Sequence, residues 1–163
     1  MRNSINLPIA AILLTAALAS RAVAADELVP FSGSMQGNQV GVPQGTPPSS
    51  LKVDGSGGGI ATDLGRFTLT WSLTVTLANG TAIGSFHFIA ANGDTIDTTI
   101  AGSSEPTATP GVFRITEINT ITGGTGRFAN AKGSFIVERL TDLNTGLTSG
   151  SFHGTITSPG AAH

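Results

Sequence analysis

The chain has 163 residues and a formal charge of −2, and only 11% of it is Asp, Glu, Lys or Arg. No cluster of Lys and Arg occurs, so the electrostatic footprint of a nucleic-acid binder is excluded. With 22 Gly, eight Phe and no Cys, neither disulfides nor thiolate metal ligation can hold it, and burial and strand pairing must.

In chain order, Met1 to Ala24 reads as a secretory signal. Arg2 is the early charge, Ile9 to Ala19 (IAAILLTAALA) is the apolar run, and Ala22-Val23-Ala24 offers small residues at the cleavage position. The run is shorter than the roughly 20 residues that cross a bilayer. Cleavage after Ala24 leaves residues 25–163 as one domain. It removes Arg2 and Arg21, so six Lys+Arg then face ten Asp+Glu, a formal charge of −4. No later apolar run is long enough for a membrane helix. The expected destination is the periplasm or the outside of a bacterial-type cell.

The first expected strand is Phe31 to Val42. Pro43 to Ser50 (PQGTPPSS) is excluded from sheet interior, because proline lacks the donor a ladder needs. Leu51 to Thr62 is a strand that Gly57-Gly58-Gly59 is expected to break. Arg66 to Leu77 (RFTLTWSLTVTL) alternates without fault: Phe67, Leu69, Trp71, Leu73, Val75 and Leu77 fall on one face, and Thr, Ser and Arg on the other. Asn79-Gly80 is a hairpin turn; its sequon form with Thr81 is read as turn chemistry only. Thr81 to Ala91 follows, then the turn Asn92-Gly93-Asp94, then Thr95 to Ala101. Gly102 to Pro110 is expected to be a loop. Gly111 to Ile121, Gly133 to Leu140 and Leu147 to Ser158 complete the set. About eight antiparallel strands in a meander, with ordered residues from about 31 to 158, predict an all-β fold. A small closed barrel of calycin type is preferred over a sandwich, because tight hairpins join most neighbours. Gly-Ser-Phe at 84–86, 133–135 and 150–152 fits bends in a barrel wall, each followed by an inward Phe.

Gly124-Thr125-Gly126-Arg127-Phe128-Ala129 matches the glycine-rich turn of a dinucleotide site in form. Six residues separate Gly126 from Gly133, too few for the crossover helix that such a site requires. No Gly-Lys-Ser/Thr is present either. The stretch suits a compact connection, with Gly123, Gly124, Gly126 and Gly133 as bends, Phe128 plugging a barrel end and Ala129 to Ala131 forming about one helical turn.

Residues 121–135, ITGGTGRFANAKGSF, resemble the corresponding stretch of the allene oxide cyclase and dirigent proteins, which has the form GGTG-basic/polar-Phe-x-x-Ala-x-Gly. With IATDLGRFTLT (60–70) and TGLTSGSFHGTI (145–156), the chain also resembles uncharacterised exported bacterial proteins with this barrel. The resemblance covers about Phe31 to Thr157. It implies an eight-stranded barrel and allows a trimer or dimer. Dirigent pockets use Asp, Arg and Tyr; this chain has no Tyr, and no catalytic residue is carried over.

The apolar phase of the strands supplies the candidate lumen: Phe67, Leu69, Trp71, Phe86, Phe88, Phe113, Ile115, Phe135, Val137 and Phe152. Eight strands allow either a filled core or a pocket. Glu117 is in phase with Phe113 and Ile115, and Arg139 with Phe135 and Val137, so both charges face inward and pair if the two strands do. Arg114 and Glu138 are expected to bridge on the outer face. His87 and His153 fall out of phase and belong on the outer wall; two His without Cys or an HxH spacing make no metal site. No cofactor is indicated, and no exposed apolar stripe demands an oligomer. Three functions are consistent with this reading: a non-catalytic module binding a small apolar molecule in the barrel, an isomerase or cyclase acting there, and a surface-interaction protein with a filled core.

Overall fold

The computed structural model describes residues 27–157 and 159–160; the expected signal segment lies outside them. Eight antiparallel strands close into a barrel in sequence order: β1 (Leu28–Gln44), β2 (Ser50–Ala61), β3 (Gly65–Thr76), β4 (Thr81–Ala90), β5 (Thr95–Pro106), β6 (Val112–Gly124), β7 (Gly133–Asp142) and β8 (Leu147–Thr157). Closure is made by β8 on β1, in register from Leu28↔Thr157 to Asn38↔Leu147. No sheet edge is left along the paired length, which removes the template for edge-to-edge aggregation.

Four local expectations are corrected. Strand β1 runs on through Pro43, which pairs with Leu51. This part of β1 has left β8 and borders β2 alone, where a missing donor is tolerated. Gly57-Gly58-Gly59 does not break β2, for all three residues pair with β1 and β3. A Cβ at Gly57 or Gly59 would strike the carbonyl oxygen of Gln36 or Ser34, so the glycines permit close approach rather than interruption. Gly102 to Pro106 is strand, paired with β6 from Gly102↔Glu117 to Pro106↔Phe113. The helical turn of the connection is a 3-10 turn at Gly126–Phe128, ahead of the expected Ala129 to Ala131.

Strand β6 also reaches Gly124, with a bulge opposite Asp97/Thr98 where Thr122 is the extra residue. The bulge leads into the connection that closes one end of the barrel. There Gly126 has φ +58°, and a side chain on it would collide with the Asp94 carboxylate. Arg127 Nε donates to Asp94 Oδ2 at 2.8 Å, and Phe128 is buried in the core cluster. Arg127 first, then Asn92, holds the Asp94 carboxyl below its ordinary range.

The core sits toward this end. Phe31, Phe67, Phe86, Phe88, Phe135 and Phe152 are buried, with neighbouring ring centroids 5.2–6.2 Å apart. Phe88 touches Phe67, Phe86, Phe135 and Phe152, all four edge-to-face. Each such pair adds about 0.5–1.5 kcal/mol beyond area burial. All three Gly-Ser-Phe phenylalanines point inward.

The outer wall differs from expectation in two ways. Arg114 and Glu138 form no ion pair among the described residues; Arg114 stands opposite Glu105 and Leu140. Ile83, Ala101, Ile118 and Ile136 are in direct register across β4 to β7 and all exposed. An apolar row therefore exists where none was anticipated.

Candidate functional site in the open half of the barrel

The opposite end of the barrel is hollow. A cavity of about 460 Å³ opens between the turns at Leu77–Gly80 and Leu143, within the size range of small-molecule sites. Its walls are apolar, including Leu51, Val53, Leu73, Val75, Phe113 and Ile115. Its polar floor holds Glu117, Arg139, Gln39 and Thr141.

Register explains why these groups converge. Ile115 pairs with Arg139 and Glu117 with Val137, so the two charges are diagonal neighbours on the inner face of β6 and β7. Arg139 Nε donates to Glu117 Oε2 at 3.0 Å, and Nη2 donates to Oε1 at 2.8 Å. This is a bidentate pair, with Glu117 0% and Arg139 3% exposed. Nη1 donates to Gln39 Oε1, Thr141 Oγ1 and Thr148 Oγ1, each at 3.0 Å. Thr141 donates to Thr148 at 2.9 Å, and Thr148 donates to the Leu140 carbonyl at 3.0 Å. Trp71 Nε1 donates to Gln39 Oε1 at 3.2 Å, and the Arg139 guanidinium lies 5.8 Å from the Trp71 ring centroid.

Glycine makes room for all three large groups. Trp71, Glu117 and Arg139 stand opposite Gly55, Gly102 and Gly150, and a Cβ on any of these would overlap the side chain it faces. The floor is thus built from three large-against-glycine pairs, an arrangement that packs a wide side chain against bare backbone.

The candidate lumen residues divide between the halves. Phe113, Ile115, Glu117 and Arg139 line the cavity. Trp71 lies at the boundary, bonded to Gln39. Phe67, Leu69, Phe86, Phe88, Phe135, Val137 and Phe152 fill the core rather than line the cavity. The candidate bends Gly123, Gly124, Gly126 and Gly133 belong, with Phe128, to the closed end, far from this floor in the topology.

Sequence reasoning missed Gln39, Thr98, Asn119, Thr141 and Thr148. Asn119 continues the inward phase of Glu117, is fully buried, and accepts from Thr98 Oγ1 at 2.8 Å. Its Nδ2 has no partner among the described residues. The phase of β6 and β7 marks Asn119 and Thr141 as inward, a signal that could have found them.

His87 and His153 occupy the outer wall. His87 Nδ1 lies 2.6 Å from Asp97 Oδ1, a half-buried cross-strand pair, and His153 is exposed. Among the described residues no group of three His, Asp or Glu could hold a metal ion, and no helix is long and apolar enough to cross a membrane. No family model, curated protein or solved structure matches the chain.

Proposed function

We propose that the protein is an exported, non-catalytic barrel that holds a small apolar molecule in its open half. The half-empty lumen carries this reading: apolar walls end on a neutral polar floor at one end, while phenylalanines fill the other. Natural cores close-pack, so a hollow of this size beside a densely packed aromatic cluster is read as a site. Export is supported by the signal-like order of Met1 to Ala24 and by the low charge of the rest.

The ion pair serves this function as a floor. Glu117 is sealed from water and held by two hydrogen bonds from Arg139. A carboxylate so engaged is poorly placed to exchange a proton with a molecule above it. That geometry favours binding over an isomerase or cyclase that would use Glu117.

The test is titration of the full chain with a neutral naphthylamine dye whose emission rises in apolar surroundings. Saturable one-to-one binding is expected, and Val75→Phe, which projects a ring into the cavity from its wall, should weaken it while leaving the fold intact. Absence of saturable binding, or binding that Val75→Phe leaves unchanged, contradicts the proposal.

A further inference from the structure

We propose that the open half selects a neutral, hydrogen-bond-accepting head group, the carbonyl or hydroxyl oxygen of an otherwise apolar molecule, through the side-chain amide of Gln39. The inference rests on the binding reading above and specifies its chemistry. The amide's orientation is fixed by its partners. Gln39 Oε1 accepts from Trp71 Nε1 and from Arg139 Nη1. An indole N–H and a guanidinium can only donate, so the atom between them is the oxygen and Nε2 is the other end. Among the described residues, the two Nε2 hydrogens meet no acceptor, and Gln39 is a half-buried residue that lines the cavity.

The other polar groups of the floor are engaged. Thr141 and Thr148 bond each other and Arg139, and Glu117 is closed off beneath. The charge is balanced as well, because the positive charge of Arg139 is matched by Glu117. An ionised carboxylate entering here is desolvated with no counter-charge to receive it, which costs several kcal/mol. A hydrocarbon leaves the amide hydrogens unpaired. A neutral oxygen accepts from them without either penalty.

The experiment is displacement of the naphthylamine dye from the full chain by octane, octanol, methyl hexyl ketone and octanoate, at about pH 8 where octanoate is ionised. Octanol and the ketone should each bind about fivefold tighter than octane, the worth of one neutral hydrogen bond, and octanoate should bind weakest. Gln39→Glu retains the oxygen acceptors for Trp71 and Arg139 and deletes both donors. It should lower ketone affinity about fivefold and leave octane unchanged. Gln39→Leu should bring octanol and the ketone to the level of octane. Octanoate binding as tightly as octanol, or a head-group preference that survives both substitutions, overturns the proposal. Dye and octane binding without any head-group preference overturns this inference and leaves the cavity reading standing. Failure of the dye and all four competitors to bind overturns both.

Discussion

The two halves of this barrel are built from the same strands by opposite rules. At the closed end inward positions carry phenylalanine, and the Gly126–Phe128 turn places one more ring across the opening. At the open end the same strands carry mostly aliphatic side chains, with Phe113 among them, around a cavity over a floor of Glu117, Arg139, Gln39 and Thr141. Strand β3 shows the change along its inward face: Phe67, Leu69, Trp71 and Leu73 are buried, Val75 is half-buried on the cavity wall, and Leu77, just past the strand's end, is exposed. Aromatic packing is concentrated in one half, while the other encloses the cavity. An eight-stranded barrel is often taken as either filled or hollow; here the division runs across the axis.

The sharpest break of this comparison is at the boundary. Glu117→Leu strands a buried guanidinium and should cost about 3–5 kcal/mol in urea denaturation; adding Arg139→Met should restore most of it, since removing both charges is far cheaper than removing one. If the double variant is as unstable as the single, the pair is not the unit described. In the closed half, Phe88→Ala leaves a void among four rings and should cost about 3–5 kcal/mol. In the open half, Val75→Ala enlarges a space already present and should cost under about 1.5 kcal/mol. Equal costs at the two positions would erase the distinction. The smallest effect concerns pH. Asp94 is held below the usual carboxylate range, chiefly by Arg127. Its contribution is present above about pH 4 and is lost as pH falls through the lowered value. Thermal melts of Asp94→Asn should therefore show a shallower loss of stability below about pH 4 than the parent.

How much of this is legible in the sequence depends on which residues mark a strand's inward phase. Arg66 to Thr76 alternates so regularly that strand, face and core follow directly, and the in-phase charges Glu117 and Arg139 are visible because Phe113, Ile115, Phe135 and Val137 set the phase around them. Gln39 is not, because the inward positions of β1 around it are Gly37 and Gly41, which carry no hydrophobic mark to set a phase. The strand at Gly102 to Pro106 is hidden for the same reason: Gly-Ser-Ser-Glu-Pro reads as loop, and only its partners β4 and β6 make it a strand. The exposed row Ile83, Ala101, Ile118 and Ile136 is a property of register across four strands, which no single stretch displays. The hollow depends on side-chain reach across the axis, which periodicity does not encode.

The central claim is that the open half, and not the closed one, receives an apolar molecule. Trp71 is the single tryptophan and lies beneath the cavity, bonded to Gln39. The most direct measurement is quenching of Trp71 fluorescence during titration with the neutral naphthylamine dye, in the parent and in Val75→Phe. Saturable one-to-one quenching in the parent that weakens in Val75→Phe is the predicted result. Quenching that is absent, or that persists undiminished in Val75→Phe, would contradict the account.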